Sequence, residues 1–242
     1  MTDVVPPDDE RAELSAVRRQ AVSVAVATGL YGVSFGALSV VAGLSVGQTM
    51  ALSLLMFTGG SQFAFIGVVG AGGTVTAAVA TAGLLGVRNG LYGPQVTPLV
   101  HARGVRRLLA AHLTIDESTA VATAHTGAAA RTGFWWTGVG VFALWNAFTL
   151  AGAVLGDALG DPRRYGLDAA AAAAFLALVW PRLSGPHAPL ARLVAGGAVV
   201  AALATTPVLP AGVPVLLAAA VAIVVGMFAP RPVGSDDAAG TP

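Results

Sequence analysis

The chain has 242 residues, of which 55% are hydrophobic and only 10% charged, with a net charge of +1; its mean hydropathy is +0.76. A soluble domain carries roughly 25% charged residues on its water-facing surface, and a nucleic-acid binder needs a concentrated basic face, so this composition excludes both. With no cysteine, disulfide frameworks and thiolate metal sites are excluded as well.

Residues 1–19 hold Asp3, Asp8, Asp9, Glu10, Arg11, Glu13, Arg18 and Arg19 and read as a flexible cytoplasmic tail. An acidic start does not match a secretory signal, so the first apolar helix is expected to be retained. A membrane domain follows over 20–229, with apolar segments at 20–43, 46–70, 74–100, 133–156, 167–183, 190–209 and 211–229. Crossing hydrocarbon takes about 20 apolar residues, which most of these supply. The 74–100 segment is ambiguous because it contains Arg88, Asn89, Pro94 and Pro98, and 105–130 is too polar for an ordinary span yet too regular for a loop. Residues 230–242, polar and Pro/Gly-containing, read as a flexible C-terminal tail. The fold class expected is all-α, a polytopic membrane bundle of about 6–7 hydrophobic segments.

Ala25, Gly29, Gly32, Gly36, Ser39 and Gly43 recur at steps of three and four, which gathers small residues on one helical face. In lipid such a face permits the close backbone approach that holds helices together. Gly152/Gly156 and Ala218/Ala222/Gly226 repeat the theme. If every segment crossed fully from a cytoplasmic N-terminus, Arg103, Arg106, Arg107 and Arg131 would face outside, against the positive-inside rule. A re-entrant or broken second segment, interrupted at Gly59-Gly60-Ser61-Gln62, restores the bias; an amphipathic span within 105–130 is the competing repair.

Polar groups at membrane depth are costly and by default face a cavity or a partner. Arg88 follows the apolar run from Val75, with Asn89 beside it and Tyr92 and Gln95 one and two turns on. Its guanidinium suits a substrate carboxylate, and equally a structural ion pair or a snorkelling arginine. Asp116 and Glu117 are candidates for proton coupling or for holding an ammonium group; an interfacial helix with both acids in water is the alternative. A helix broken at Gly59–Gln62 exposes N–H groups able to bind an anionic substrate group, against a plain Gly kink. Asn146 reads as an interhelical hydrogen-bonder. His101, His112, His125 and His187 are scattered, so neither a metal nor another cofactor is expected. Without a Walker loop, a zinc helix or a nucleophile elbow, no enzymatic chemistry is expected either.

Tyr31-Gly32-Val33-Ser34-Phe35-Gly36-Ala37-Leu38-Ser39-Val40-Val41-Ala42-Gly43-Leu44-Ser45 resembles the first-helix signature of the AzlC-like branched-chain amino-acid permeases. Ser53-Leu54-Leu55-Met56-Phe57-Thr58-Gly59-Gly60-Ser61-Gln62-Phe63-Ala64, the Arg88 segment, the Asp116-Glu117 pair, Gly166-Leu167-Asp168 and Phe175 extend the likeness over roughly 20–229. Where that family commonly has Asn-x-Arg-His, this chain has Gly86-Val87-Arg88-Asn89, so no histidine proton relay carries over. The resemblance implies a multi-pass protein of the bacterial inner membrane that exports branched-chain or other small apolar amino acids with a small AzlD-like membrane subunit. Substrate-binding residues are then expected among Gly59, Gly60, Ser61, Gln62, Arg88, Asn89 and Tyr92, and proton coupling at Asp116 or Glu117. A non-transporting scaffold that docks partner helices through its small-residue faces is the alternative.

Overall fold

The structure, a computed structural model, describes residues 8–159 and 188–228 together with 176, 179–180 and 182–185. Every regular element among the described residues is an α-helix. In chain order they are α1 (Asp8–Val41), α2 (Val46–Leu55), α3 (Gly59–Gly70), α4 (Val75–Val100), α5 (Val105–His112), α6 (Asp116–Thr123), α7 (Gly127–Leu159), α8 (Ala188–Thr205) and α9 (Val213–Phe228). The chain divides into two compact units, Met1–Leu176 and Ala177–Pro242. The expected segment 167–183, with its alanine run and the Gly166–Asp168 and Phe175 motifs, lies almost wholly outside the described residues.

Among the described residues three helices are long and apolar enough to cross a bilayer: Glu10–Val41, Gly127–Ala158 and Ala188–Thr205. Each also turns large aliphatic side chains outward: Val22, Val26 and Leu30 on α1, Leu150 and Val154 on α7, and Leu193, Val200 and Leu203 on α8 are exposed. Water-soluble helices rarely leave so many large aliphatic side chains uncovered, whereas lipid tails cover them without cost. The chain is therefore read as a membrane protein.

Helix α1 begins at Asp8, earlier than the first apolar segment, and residues expected in a solvated tail belong to it; Val17 is 1% exposed. It stops where Gly43 takes φ +97°, a value open to glycine. There the Leu44 N–H donates to the Ser39 carbonyl and the Gly43 N–H to the Val40 carbonyl, closing the helix in a Schellman-like turn. Gly43 thus ends the helix and leaves the small-residue face, with nothing near its α-carbon.

The remainder of that face packs on α7. A β-carbon on Gly29 would come within 2.6 Å of Leu144 Cβ, one on Gly32 within 2.5 Å of the Trp145 carbonyl, and one on Gly36 would collide with the Thr149 carbonyl. Gly152 meets the Val33 carbonyl in the same way, and Gly156 would bring a β-carbon within 2.9 Å of Ala37 Cα. Glycines on both helices let the backbones touch, so dispersion contacts replace the hydrophobic drive that lipid does not provide. The surface on which a partner's helix was expected to dock is filled from within the chain, and the scaffold alternative loses its best face. In the second unit α8 and α9 pack through Gly197, where a β-carbon would stand 2.9 Å from Val221 Cγ1. Ala222 and Gly226, expected in a helix contact, are exposed.

The 46–70 segment is broken. Ser45 opens α2 with a reciprocal cap: its hydroxyl accepts from the Gln48 N–H at 3.2 Å, and the Gln48 side chain accepts from the Ser45 N–H at 2.8 Å. With 10 and 12 residues, α2 and α3 are about 15 and 18 Å long, each too short to cross the roughly 30 Å of hydrocarbon. The interruption lies at Met56–Thr58, just before the Gly59-Gly60 pair, which forms the first turn of α3. The stretch 105–130 is also broken, into α5, α6 and the start of α7. The two breaks come close to each other: Phe57 at the first lies 5.8 Å, centroid to centroid, from the His112 ring at the second, and both rings pack edge-on to Phe142 of α7.

A candidate substrate site at the second helix break

The first break is sealed by one side chain. Gln62, 0% exposed, donates through Nε2 to the Met56 carbonyl at 2.7 Å and to the Ser53 carbonyl at 3.4 Å, satisfying carbonyls at the end of α2. Its Oε1 accepts from Trp145 Nε1 at 2.9 Å. Trp145 in turn stacks on Phe35, stands edge-on to Phe63 and packs against Gly59, where a β-carbon would lie 3.1 Å from its ring. Gln62 therefore spends its amide on the protein itself. Gly59 makes room for an indole, and Gly60 is half-buried in the same turn. Ser61 differs: its hydroxyl is buried, has no hydrogen-bond partner among the described residues, and lies 3.5 Å from where a β-carbon on Gly86 of α4 would stand.

The second break is held from within by Ser118, whose hydroxyl donates to the Leu113 carbonyl at 2.6 Å and accepts from the Ile115 N–H at 3.1 Å. Thr114 returns its own hydroxyl to the Ala110 carbonyl at 2.7 Å. The Thr114 carbonyl is left facing away from helical partners, and Asn89 Nδ2 of α4 donates to it at 3.2 Å. Asp116 is the first residue of α6, where the positive end of the helix favours a carboxylate.

Helix α4 brings three of the expected residues to this point. Arg88, midway along its 26 residues, places Nη2 2.6 Å from Asp116 Oδ2. Tyr92, one turn later, donates its hydroxyl to Asp116 Oδ1 at 2.5 Å. The pair is neither sealed nor fully wet, with the Arg88 and Asp116 side chains 38% and 27% exposed. Residues that stand apart in the sequence, Arg88, Asn89 and Tyr92 on one side and Asp116 on the other, form one cluster. Gln95, expected on the same face, is exposed. Glu117, next to Asp116 in the first turn of α6, is half-buried.

Bonding capacity is left over on the helices that meet here. Arg88 Nε and Asn89 Oδ1 are buried and without partners among the described residues, like the Ser61 hydroxyl on the adjoining α3. A buried donor or acceptor left unmade costs about 1–3 kcal/mol, so a ligand supplying the missing partners gains that much at each group. At the cluster itself the set comprises one donor (Arg88 Nε), one acceptor (Asn89 Oδ1) and an ion pair that can open; the Ser61 hydroxyl is a further free group on α3, against Gly86. Asn146 belongs to none of this: its Nδ2 donates to Phe142 within α7 at 2.8 Å, an intrahelical bond where an interhelical one was expected. The functional part missed in the sequence is Trp145, whose indole N–H fixes Gln62; the pairing spans 83 positions and leaves no local signal.

No curated protein and no solved structure matches the chain. A family model described as AzlC protein matches residues 23–159, a span that holds α2 to α6, most of α1 and all of α7, and hence both helix breaks and the Arg88–Asp116 cluster. The match stops short of the roughly 20–229 expected from the motifs, yet it supports a membrane transport-related function rather than an enzymatic one. With more than half of its length matched, the chain belongs to the AzlC family.

Proposed function

We propose that the chain is a secondary transporter that exports branched-chain or other small apolar amino acids across the bacterial inner membrane, together with a small AzlD-like subunit. The observation that carries this reading is the half-exposed Arg88–Asp116 pair at an interrupted helix, flanked by buried groups that lack partners. An amino acid is a zwitterion, with one carboxylate and one ammonium group a few ångströms apart. It can open the pair and take both places. Its carboxylate meets the Arg88 fork, and its ammonium meets Asp116 and the free carbonyl oxygen of Asn89. Charge is conserved in that exchange, so the site avoids stranding an uncompensated ion in a low-dielectric surrounding, which is strongly unfavourable. Interrupted helices at membrane depth serve such charged groups in transporters generally. A proton arriving on Asp116 would weaken its hold on Arg88, and Glu117 beside it offers a second carboxylate for the same purpose. Apolar side chains around the breaks accept an aliphatic substrate.

The decisive measurement is uptake of radiolabelled valine into inverted vesicles carrying the chain, alone and with its small subunit, with and without a proton gradient. Gradient-dependent accumulation above control vesicles is expected, with competition by leucine and isoleucine and none by aspartate or lysine. Equal counts in control and loaded vesicles under every condition would remove the transport reading.

A further inference from the structure

A second polar site lies where α4 turns into α5. The chain reverses through His101 (φ 52°) and Gly104 (φ 56°), and this turn, together with the early part of α7, lines a cavity of about 660 Å³. Arg103, Arg106 and Arg131 line it with His101, Trp135 and Trp136, and no acidic residue does among the described residues. None of the three arginines has an ion-pair partner among the described residues. One of them is held by an aromatic ring instead: the Arg106 guanidinium lies 5.5 Å from the centre of the Trp135 ring, and a fourth arginine, Arg18 of α1, stands 5.5 Å from that of Trp136. Helix α5 starts beside the cavity with Gly104 as its N-cap and no side chain satisfying its first N–H groups, so the helix dipole adds positive potential.

What surrounds the cavity is as informative as its charge. On α5, Val105, Leu108 and Leu109 are exposed between and beyond the polar Arg106 and Arg107, so an apolar face lies next to a cationic one. That is the arrangement of an interfacial helix, with alkyl side chains in the acyl region and arginines at the headgroup level. Tryptophan is enriched at the same depth.

We propose that this cavity binds a phosphate ester, supplied by the headgroup of an anionic phospholipid whose acyl chains run along the apolar face of α5. Arginine's planar fork matches phosphate oxygens in pairs, and the ring-stacked guanidinium is already oriented for it. The site is separate from the Arg88–Asp116 cluster and does not depend on the transport reading. A bound headgroup would brace the turn between α4, which carries Arg88, and α5, which leads into the Asp116 break.

The test uses the purified full chain in a neutral maltoside detergent and follows tryptophan fluorescence. Phosphatidylglycerol brominated on its acyl chains, equally brominated phosphatidylcholine, and inorganic phosphate are titrated separately. Quenching by the phosphatidylglycerol is expected to saturate at about tenfold lower concentration than by the phosphatidylcholine. The double substitution Arg106→Gln with Arg131→Gln should abolish that preference while leaving the melting temperature in lipid-free detergent unchanged. Should that variant fold poorly, Arg103→Gln alone should still narrow the preference severalfold. If inorganic phosphate displaces the brominated lipid and raises the melting temperature of the unsubstituted chain alone, phosphate recognition stands and its source is the aqueous phase. Equal quenching by the two lipids, or a preference that survives the double substitution, overturns the proposal.

Discussion

The two helix breaks are built alike and used differently. Each interrupts a helical stretch, and each leaves backbone groups without helical partners. At Met56–Thr58 a fully buried glutamine closes the gap, and its own amide is spent in doing so. At Leu113–Ile115 the gap is closed by Ser118 and Asn89, and the residue beyond it is a carboxylate held by groups reaching over from α4. At the first break Gln62 meets the freed carbonyls, and what is left over is the neutral hydroxyls of Ser53 and Ser61; at the second, Arg88 Nε and Asn89 Oδ1 are left over beside a partly exposed ion pair. A break in a membrane helix becomes a candidate binding site when its neighbours have bonds to spare, and Gly-rich sequence alone does not separate the two cases.

The largest expected effect comes from spoiling the sealed break. Gln62→Glu keeps the shape but turns the amide donor into an oxygen, so an acceptor faces the Met56 carbonyl at donor distance. Destabilisation of at least about 2–3 kcal/mol is expected, seen as a lower melting temperature and loss of monodisperse protein on detergent gel filtration. Transport per folded molecule should survive. A melting temperature equal to that of the unsubstituted chain would mean that Gln62 does not close the gap.

At the open break the order reverses, and activity suffers before stability. Arg88→Lys keeps the charge but loses the fork that grips a carboxylate by both oxygens, so valine transport should fall more than about tenfold at equal membrane abundance. Near-normal transport by both Arg88→Lys and Arg88→Ala would exclude the arginine from substrate binding.

The acids divide that prediction further. Asp116→Asn still offers an oxygen to the Tyr92 hydroxyl, but it can neither pair with Arg88 as an anion nor change charge with pH. If Asp116 carries the coupling proton, gradient-driven accumulation disappears while exchange of labelled for unlabelled substrate persists; Glu117→Gln poses the same question next door. Full coupling in both variants would leave the two acids with a purely positional role.

How far the sequence revealed this arrangement depends on range. The α1 glycine face was legible because its spacing is local, and so was the interruption near Gly59, since a Gly-Gly pair marks a weak point in any helix. Arg88 stood out as an ion after a long apolar run, and Asp116 as one of an adjacent acid pair. Their pairing was not legible: it depends on how α4 lies against the α5–α6 break, and 28 positions of sequence contain no periodic signal for that. The Gln62–Trp145 bond was hidden for the same reason, because a polar residue beside a Gly pair looks the same whether its partner is a substrate or a distant tryptophan. The small-residue face was read correctly as a packing surface, but only the fold could show that α7 of the same chain occupies it.

A smaller loss is expected from Tyr92→Phe, which removes one charge-assisted hydrogen bond and leaves the Arg88–Asp116 pair in place. A single such bond is worth about 1.5–3 kcal/mol when fully made, and less at a partly exposed site, so transport should fall a few-fold. A loss as deep as that of Arg88→Lys would instead make Tyr92 a direct substrate contact.

The smallest substitution is the sharpest test of what makes the second break different. Ser61 sits on α3, in the helix that opens the sealed break, yet its hydroxyl faces Gly86 of α4 and has no partner among the described residues. Were it only a packing residue, Ser61→Ala would remove an unsatisfied buried group, leaving stability equal or slightly higher and transport unchanged. If the hydroxyl completes its bond on the substrate, the same substitution raises the apparent KM for valine by about three- to tenfold, the worth of one neutral hydrogen bond, with the melting temperature again not lowered. Stability and affinity thus move independently, which no general damage to the fold would produce. A variant with unchanged KM assigns the site to α4 and α6 alone and confines α3 to the closing of the first break.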